Sequence, residues 1–165
     1  STAYTYTVAA YDAAGNASGQ STAASATTQA TAPAIGPVGT VSNLAVPQVV
    51  SNGVTLSFTE VDDGTGQPAK YDIRYQSPTI SWGAAASVAQ GTCASPLAGT
   101  QIGATKTCAV LGLLPSTDYQ FQMVPFRGTM NVDAVFGPVS NVIGARTSAA
   151  ADATPPAKPR NMRVQ

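Results

Sequence analysis

The sequence predicts an all-β protein organised around a two-sheet sandwich, and three observations carry that expectation. Apolar and polar residues alternate with period two, as in Tyr4, Tyr6, Val8 and Ala10, separated by Thr5, Thr7 and Ala9. No window of helical length carries apolar residues at i, i+3, i+4 and i+7 without a proline or glycine interrupting it. From Val41 onward, strand signals return about every 8 to 12 residues between turn clusters, which is the rhythm of a sandwich.

Taken in order, the first element is a hairpin: alternating residues from Tyr4 to Ala10, a turn-rich stretch from Asp12 to Gly19, then small β-compatible residues to Thr28. Residues 31–40 contain Pro33, Pro37 and several Gly and Ala, cannot form a ladder, and read as a stiffened linker at a domain boundary. The strands that follow carry Leu44 and Val46; Val54, Leu56 and Phe58; and Tyr71, Ile73 and Tyr75. Ser81 to Val88 is a weak strand. Thr107 to Leu111, Tyr119 to Val124 and Val139 to Ile143 are stronger, with turns at Asp62–Gly66 and Gly112–Thr117. About seven strands result, in a module spanning residues 41–148. A second proline-rich linker, 149–159, then leads to six terminal residues, 160–165.

Internal repetition sharpens the organisation, because a motif recurring at a fixed offset means that one supersecondary unit has been reused. Thr2, Tyr4, Tyr6 and Val8 match Thr117, Tyr119, Phe121 and Met123 at an offset of 115, and each segment is followed by an Ala-x-Thr, at Ala26 and Ala145. Asn43, Leu44 and Val46 match Asn161, Met162 and Val164 at an offset of 118. The expected layout is therefore one complete module flanked by parts of two others.

The run Leu111, Gly112, Leu113, Leu114, Pro115, Ser116, Thr117, Asp118 and Tyr119 resembles the E-to-F corner of the fibronectin type III family, an immunoglobulin-like β-sandwich of seven strands. Tyr71, Ile73, Arg74 and Tyr75 are similar to that family's strand C, and the proline-rich entry to Leu44 and Val46 to its strand A. The resemblance implies a tyrosine corner of Leu113, Pro115, Thr117 and Tyr119, in which the tyrosine hydroxyl bonds back to backbone upstream, with Tyr4 in the same part of a preceding module. It also implies that residues 1–30 are strands F and G of that preceding module and 160–165 the first strand of a following one. The expected core is Leu44, Val46, Val54, Leu56, Phe58, Tyr71, Ile73, Tyr75, Val110 and Phe121, with Phe58 filling the volume of the tryptophan that family members usually carry on strand B. Tyr6, Val8, Met162 and Val164 are expected to make contacts between modules.

Composition removes whole classes of chemistry. The chain has 165 residues and no histidine, which excludes Ser-His, Cys-His and His-ligated metal mechanisms. Charged residues are only 10% of the chain, with eight basic and eight acidic, so neither nucleic-acid binding nor polybasic membrane binding is expected, and the apolar runs are too short for membrane insertion, which takes about 20 residues. Cys93 and Cys108 are expected to pair, because alternation from Val110 turns Cys108 inward and a low-charge all-β array reads as extracellular or cell-surface. Two free thiols is the alternative. No cofactor or metal is expected: Asp62, Asp63, Gly64, Thr65 and Gly66 superficially suggest a calcium loop, but no acidic residue closes the shell and Asp-Gly marks a hairpin turn. Asn16-Ala17-Ser18 is a sequon on an exposed loop. Glu60 beside Asp62 and Asp63 is the one tight carboxylate group, and ordinary solvated charge accounts for it. Trp82, outside the strong strands, either covers an edge of the core, the preferred role, or stands exposed as a stacking platform for a sugar or a protein.

No enzyme is expected. The leading expectation is a non-catalytic structural repeat of an extracellular filament, stalk or surface protein, whose partners are adjacent copies or adjacent modules joined head to tail. The alternative is a spacer, or a carbohydrate- or protein-binding module, attached to a larger secreted enzyme or adhesin.

Overall fold

A computed structural model describes residues 1–30 and 34–153 and divides the chain into two units, Ser1–Ala34 and Ile35–Gln165. The expected terminal strand 160–165, with Met162 and Val164, lies outside the described residues, as do Pro33 and residues 154–159 of the second linker.

The first unit is a hairpin of β1 (Ala3–Tyr6) and β2 (Ala24–Thr27), antiparallel, with Tyr4 opposite Ala26 and Tyr6 opposite Ala24. Tyr4 and Tyr6, two apart on one face, stack at 6.4 Å. The pairing continues through a bridge between Tyr11 and Ala17. The loop is closed by Asp12, whose carboxylate accepts the N–H groups of Ala14 and Asn16 and the Asn16 side-chain amide at 2.7 Å. That is Asx-turn chemistry, and it occupies the amide nitrogen of the sequon.

The second unit is a sandwich. One sheet runs β3 (Ala45–Val50), β4 (Gly53–Thr59) and β8 (Thr105–Leu111). The other is centred on β5 (Lys70–Gln76) and β9 (Asp118–Arg127); short β6 (Ala86–Ser87) and β7 (Leu97–Ala98) pair with β5, and β10 (Val135–Phe136) and β11 (Ile143–Arg146) with β9. The expected seven strands thus become nine segments among the described residues. On β4, Val54, Leu56 and Phe58 point inward while Thr55, Ser57 and Thr59 stay half-exposed, the alternation a one-sided sheet requires. Phe58 meets Tyr71 of the opposite sheet edge-on at 4.7 Å, joining the two layers. Leu44, Ile73, Val110 and Phe121 complete the same cluster.

Four expectations change. Val46 and Tyr75 pack against the core but are only partly buried. Val46 lies on edge strand β3, where a register shift between Ala45 and Gln48 turns the strand, and Tyr75 caps the core with its ring 5.8 Å from Tyr119. Residues 36–40 of the first linker are instead fastened to the module. Val38 is buried, and the N–H groups of Gly36 and Gly39 bond to the carbonyls of Gly64 and Asp62. The strand expected from Val139 begins only at Ile143, because side chains replace the ladder before it. Ser140 Oγ takes the Met123 N–H at 3.0 Å, and the Asn141 amide turns away to bond both the N–H and the carbonyl of Leu44, at 2.9 Å each. That clamp ties the first strand of the module to its last.

Cys93 and Cys108 form a disulfide with Cα atoms 5.0 Å apart. The segment before β8 docks through the Cys93 N–H to the Ala109 carbonyl at 3.0 Å. Gly91 makes the approach possible: its φ is +90°, and a Cβ there would collide with the Ala109 carbonyl oxygen.

Candidate functional site

On β5, Tyr71 and Ile73 face the core, so Asp72 and Arg74 take the outer face. There Arg74 makes three contacts. Its Nε donates to Asp72 Oδ2 at 2.8 Å, a terminal nitrogen donates to the Trp82 carbonyl at 3.0 Å, and the guanidinium lies 4.6 Å from the centre of the Trp82 ring. Ser81 forms the turn that carries Trp82, its carbonyl accepting the N–H groups of Ala84 and Ala85. Trp82 is accordingly not part of the core. It is a half-buried surface ring held by a cation–π contact, because the turn after β5 brings it back over Arg74. Asp72 is buried beneath the pair and also accepts from Ser87 Oγ at 3.3 Å.

Across the sheet, Val124, Phe136 and Val139 form the facing wall of a groove of about 360 Å³. Phe136 is 53% exposed and leans on the buried Phe126 at 5.6 Å. Two aromatic rings, an aliphatic floor and a guanidinium in one open groove suit a ligand that has apolar ring faces and hydroxyl edges. A second groove of about 350 Å³, lined by Asp118, Tyr119, Gln120 and Arg146, is bordered by the exposed Arg146–Asp118 pair, and its aromatic residue, Tyr119, is buried in the core.

Glu60 overturns the expectation of solvated charge. It is 1% exposed, and its carboxylate accepts the Thr100 N–H and hydroxyl and, at 2.6 Å, the Gln101 N–H, with Lys106 Nζ at 3.0 Å. Burial works to raise its pKa, but the Gln101, Lys106 and Thr100 bonds outweigh that and hold the carboxyl below the usual glutamate range. Nearby, burial pushes the Tyr71 hydroxyl up to about 12, although it accepts the Val61 N–H at 2.9 Å. The acidic turn is engaged in the same way. Asp62 Oδ1 accepts the N–H groups of Gly64 and Gly66, and Asp63 Oδ1 those of the Thr65 backbone and hydroxyl. These carboxylates build the turn and the end of the sandwich.

At the corner, Leu113 is buried, Thr117 Oγ1 donates to the Pro115 carbonyl at 2.9 Å, and the Tyr119 hydroxyl accepts the Leu114 N–H at 3.1 Å. Tyr119→Phe, which removes that acceptor and keeps the ring, is expected to cost about 0.5–1.5 kcal/mol by urea denaturation. An unchanged midpoint would mean that the bond contributes nothing. Tyr4 and Tyr6 lie exposed on the separate hairpin. The sequence pointed to the corner, through its family resemblance, and to the disulfide, but not to the Glu60 cluster or the Asn141 clamp, whose partners lie far along the chain.

The family model described as fibronectin type III domain matches residues 39–133, more than half of the chain. The chain belongs to the fibronectin type III family. Members of this family share the immunoglobulin-like sandwich seen in the second unit, and the matched span holds its first sheet, β5 and β9. The chain is also 34% identical over 147 residues to Endoglucanase B of Cellulomonas fimi, covering 85% of this chain but only 12% of that protein. The second unit alone is shorter than the aligned stretch, so the similarity reaches into the first unit as well. Among solved structures, the chain is similar to the FN1–FN3 domains of chicken CNTN1, at 20% identity and a TM-score of 0.45, covering 70% of this chain and 34% of that one. It is similar too to the fibronectin type III domain of human fibronectin type III domain containing protein 3, at 14% identity and a TM-score of 0.45, covering 76% and 98%.

Proposed function

We propose that this chain is a non-catalytic accessory segment of a larger secreted protein that acts on polysaccharide, holding other parts of that protein apart. The observation that carries the reading is the similarity to Endoglucanase B, which covers 85% of this chain while occupying 12% of that protein. The disulfide supports an oxidising, extracellular setting. No helix among the described residues is long and apolar enough to cross a membrane. The engagement of Glu60 and Asp72 with structural partners argues against a working pair of carboxylates, which hydrolysis of a glycosidic bond would need. Excising this segment from its parent protein is expected to leave kcat/KM on a soluble glucan unchanged and to lower turnover of an insoluble one. Hydrolysis of soluble glucan by the isolated chain would overturn the reading.

The groove favours a further step, that the segment itself rests on glycan. Trp82 and Phe136 would stack on pyranose faces while Arg74 bonds hydroxyl edges. Trp82→Ala is then expected to weaken retention of the chain on insoluble glucan about tenfold, a difference of about 1.4 kcal/mol. Equal retention of the two proteins in a pull-down would leave the spacing role alone. The filament reading needs neighbouring copies to cover the hairpin, either as modules of one polypeptide or as separate chains, and concentration-dependent protection of the hairpin would favour separate chains.

A further inference from the structure

The hairpin of the first unit and the closing hairpin of the sandwich share their strand register and most of the bonds that flank it. Shifting the first strand by 115 and the second by 119 maps Tyr4↔Ala26 onto Tyr119↔Ala145 and Tyr6↔Ala24 onto Phe121↔Ile143. The bonds outside the ladder follow the same shifts. Thr2 N–H donates to Thr28 Oγ1 at 2.9 Å, as Thr117 N–H does to Thr147 Oγ1 at 2.9 Å. Val8 N–H donates to Ser21 Oγ at 3.1 Å, as Met123 N–H does to Ser140 Oγ at 3.0 Å. Ser21 N–H bonds the Val8 carbonyl and Ser18 N–H the Ala10 carbonyl, each at 2.8 Å, as Ser140 does Met123 and Gly137 does Pro125, also at 2.8 Å. Serine hydroxyls interrupting a ladder at matched positions are not a general property of hairpins.

What differs is the cover. In the sandwich, Tyr119, Phe121 and Met123 are 7%, 0% and 0% exposed, packed in one core with Leu44, Val54, Leu56 and Val110 of the facing sheet. Their counterparts Tyr4, Tyr6 and Val8 are 47%, 57% and 71% exposed. A two-stranded ribbon with an open apolar face is marginal in water. The sandwich also indicates where the cover comes from. Residues 112–117 carry the chain straight from β8 of the facing sheet into β9, and Thr2 occupies the place of Thr117.

We propose that residues 2–28 are the closing hairpin of a second sandwich module, and that the face of Tyr4, Tyr6 and Val8 is covered by a three-stranded antiparallel sheet of the β3-β4-β8 kind, supplied in cis by polypeptide leading into Thr2. The partner is thus a sheet whose inward residues alternate as bulky aliphatic and aromatic groups. This goes beyond the accessory role and does not depend on glycan or on any catalytic domain.

The test compares amide hydrogen exchange at Tyr4, Tyr6 and Val8 in the 165-residue chain and in the parent polypeptide extended upstream of Ser1. Exchange is expected to be at least roughly 100-fold slower in the longer protein, and independent of concentration in both. Equal exchange in the two would overturn the proposal. Protection appearing in the short chain with rising concentration would also overturn it, in favour of a second copy as the cover and of the filament. A chimera joining Ser116 to Thr2, so that residues 35–116 are followed by 2–28, supplies the facing sheet directly. It is expected to bury Tyr4 and Tyr6 in a cooperatively unfolding module. A chimera that folds with both tyrosines exposed to solvent would contradict the proposal even if the upstream sequence were never expressed.

Discussion

Replacing Glu60 by alanine is expected to destabilise the sandwich by about 3 kcal/mol, the low end of what loss of one partner of a buried ion pair costs. The low end applies because Lys106, the cation left behind, keeps 16% side-chain exposure and can draw on water. The N–H groups of Thr100 and Gln101 fare worse, since each loses its carboxylate acceptor in a part-buried site. Glu60→Gln, which keeps one carbonyl oxygen, should fall between wild type and alanine. The effect also carries a pH signature. Because the native carboxyl titrates below its usual value of 4.5, the unfolded chain binds the proton more tightly. The contribution is therefore complete above that value and is lost as pH falls through the native pKa. The gap between wild type and Glu60→Ala in urea midpoints should accordingly narrow in acid. A penalty below about 1 kcal/mol at neutral pH, the size of one ordinary hydrogen bond, would show that the cluster is decorative.

The second large effect concerns Cys93 and Cys108. Their bond closes a loop with a sequence separation of 15, worth about 3 kcal/mol in the chain-entropy account. Between Cys93 and β8 the closed segment has only the two-residue β7 as regular structure, and it is otherwise held by Ser95 on Ile73, by Thr100 and Gln101 on the Glu60 carboxylate, and by backbone bonds such as Gly99 N–H to Ala69. Cys93→Ala with Cys108→Ala should lower stability by about that amount, and reduction of the wild type should reproduce it. Thiol titration of the denatured, unreduced protein should find none free. Two reactive thiols per chain would sink the pairing.

How legible this molecule is depends on how far apart the cooperating residues lie. The tyrosine corner is a local device, with Leu114 and Tyr119 five residues apart, so one short run of sequence is enough to carry the resemblance to the family's corner. Alternation at Val54, Leu56 and Phe58 likewise declares a one-sided strand. Glu60 is different. Its acceptor role is visible only once the fold returns Thr100 and Gln101, forty residues later, and two of the four groups it binds are backbone amides that carry no side-chain signature. Ser140 and Asn141 misled the reading in the opposite sense. Their neighbours Val139, Val142 and Ile143 look like strand, while their own polar groups take over the bonds a strand would make. Trp82 was misjudged for a third reason. A lone tryptophan beside a weak strand says nothing of the arginine that β5 turns outward to meet it.

The Asn141 amide, described above as a clamp on Leu44, has a mechanical meaning. In the proposed spacer role the module is pulled from its two ends, and the bonds of Gly36 and Gly39 to Gly64 and Asp62 are loaded first on one side. The Asn141 amide lies next along that path, and its two 2.9 Å bonds to a single residue must rupture together before the first strand can slide past the last. In that role tension would be met near the module's edge, before it reaches the Phe58–Tyr71 contact in the middle.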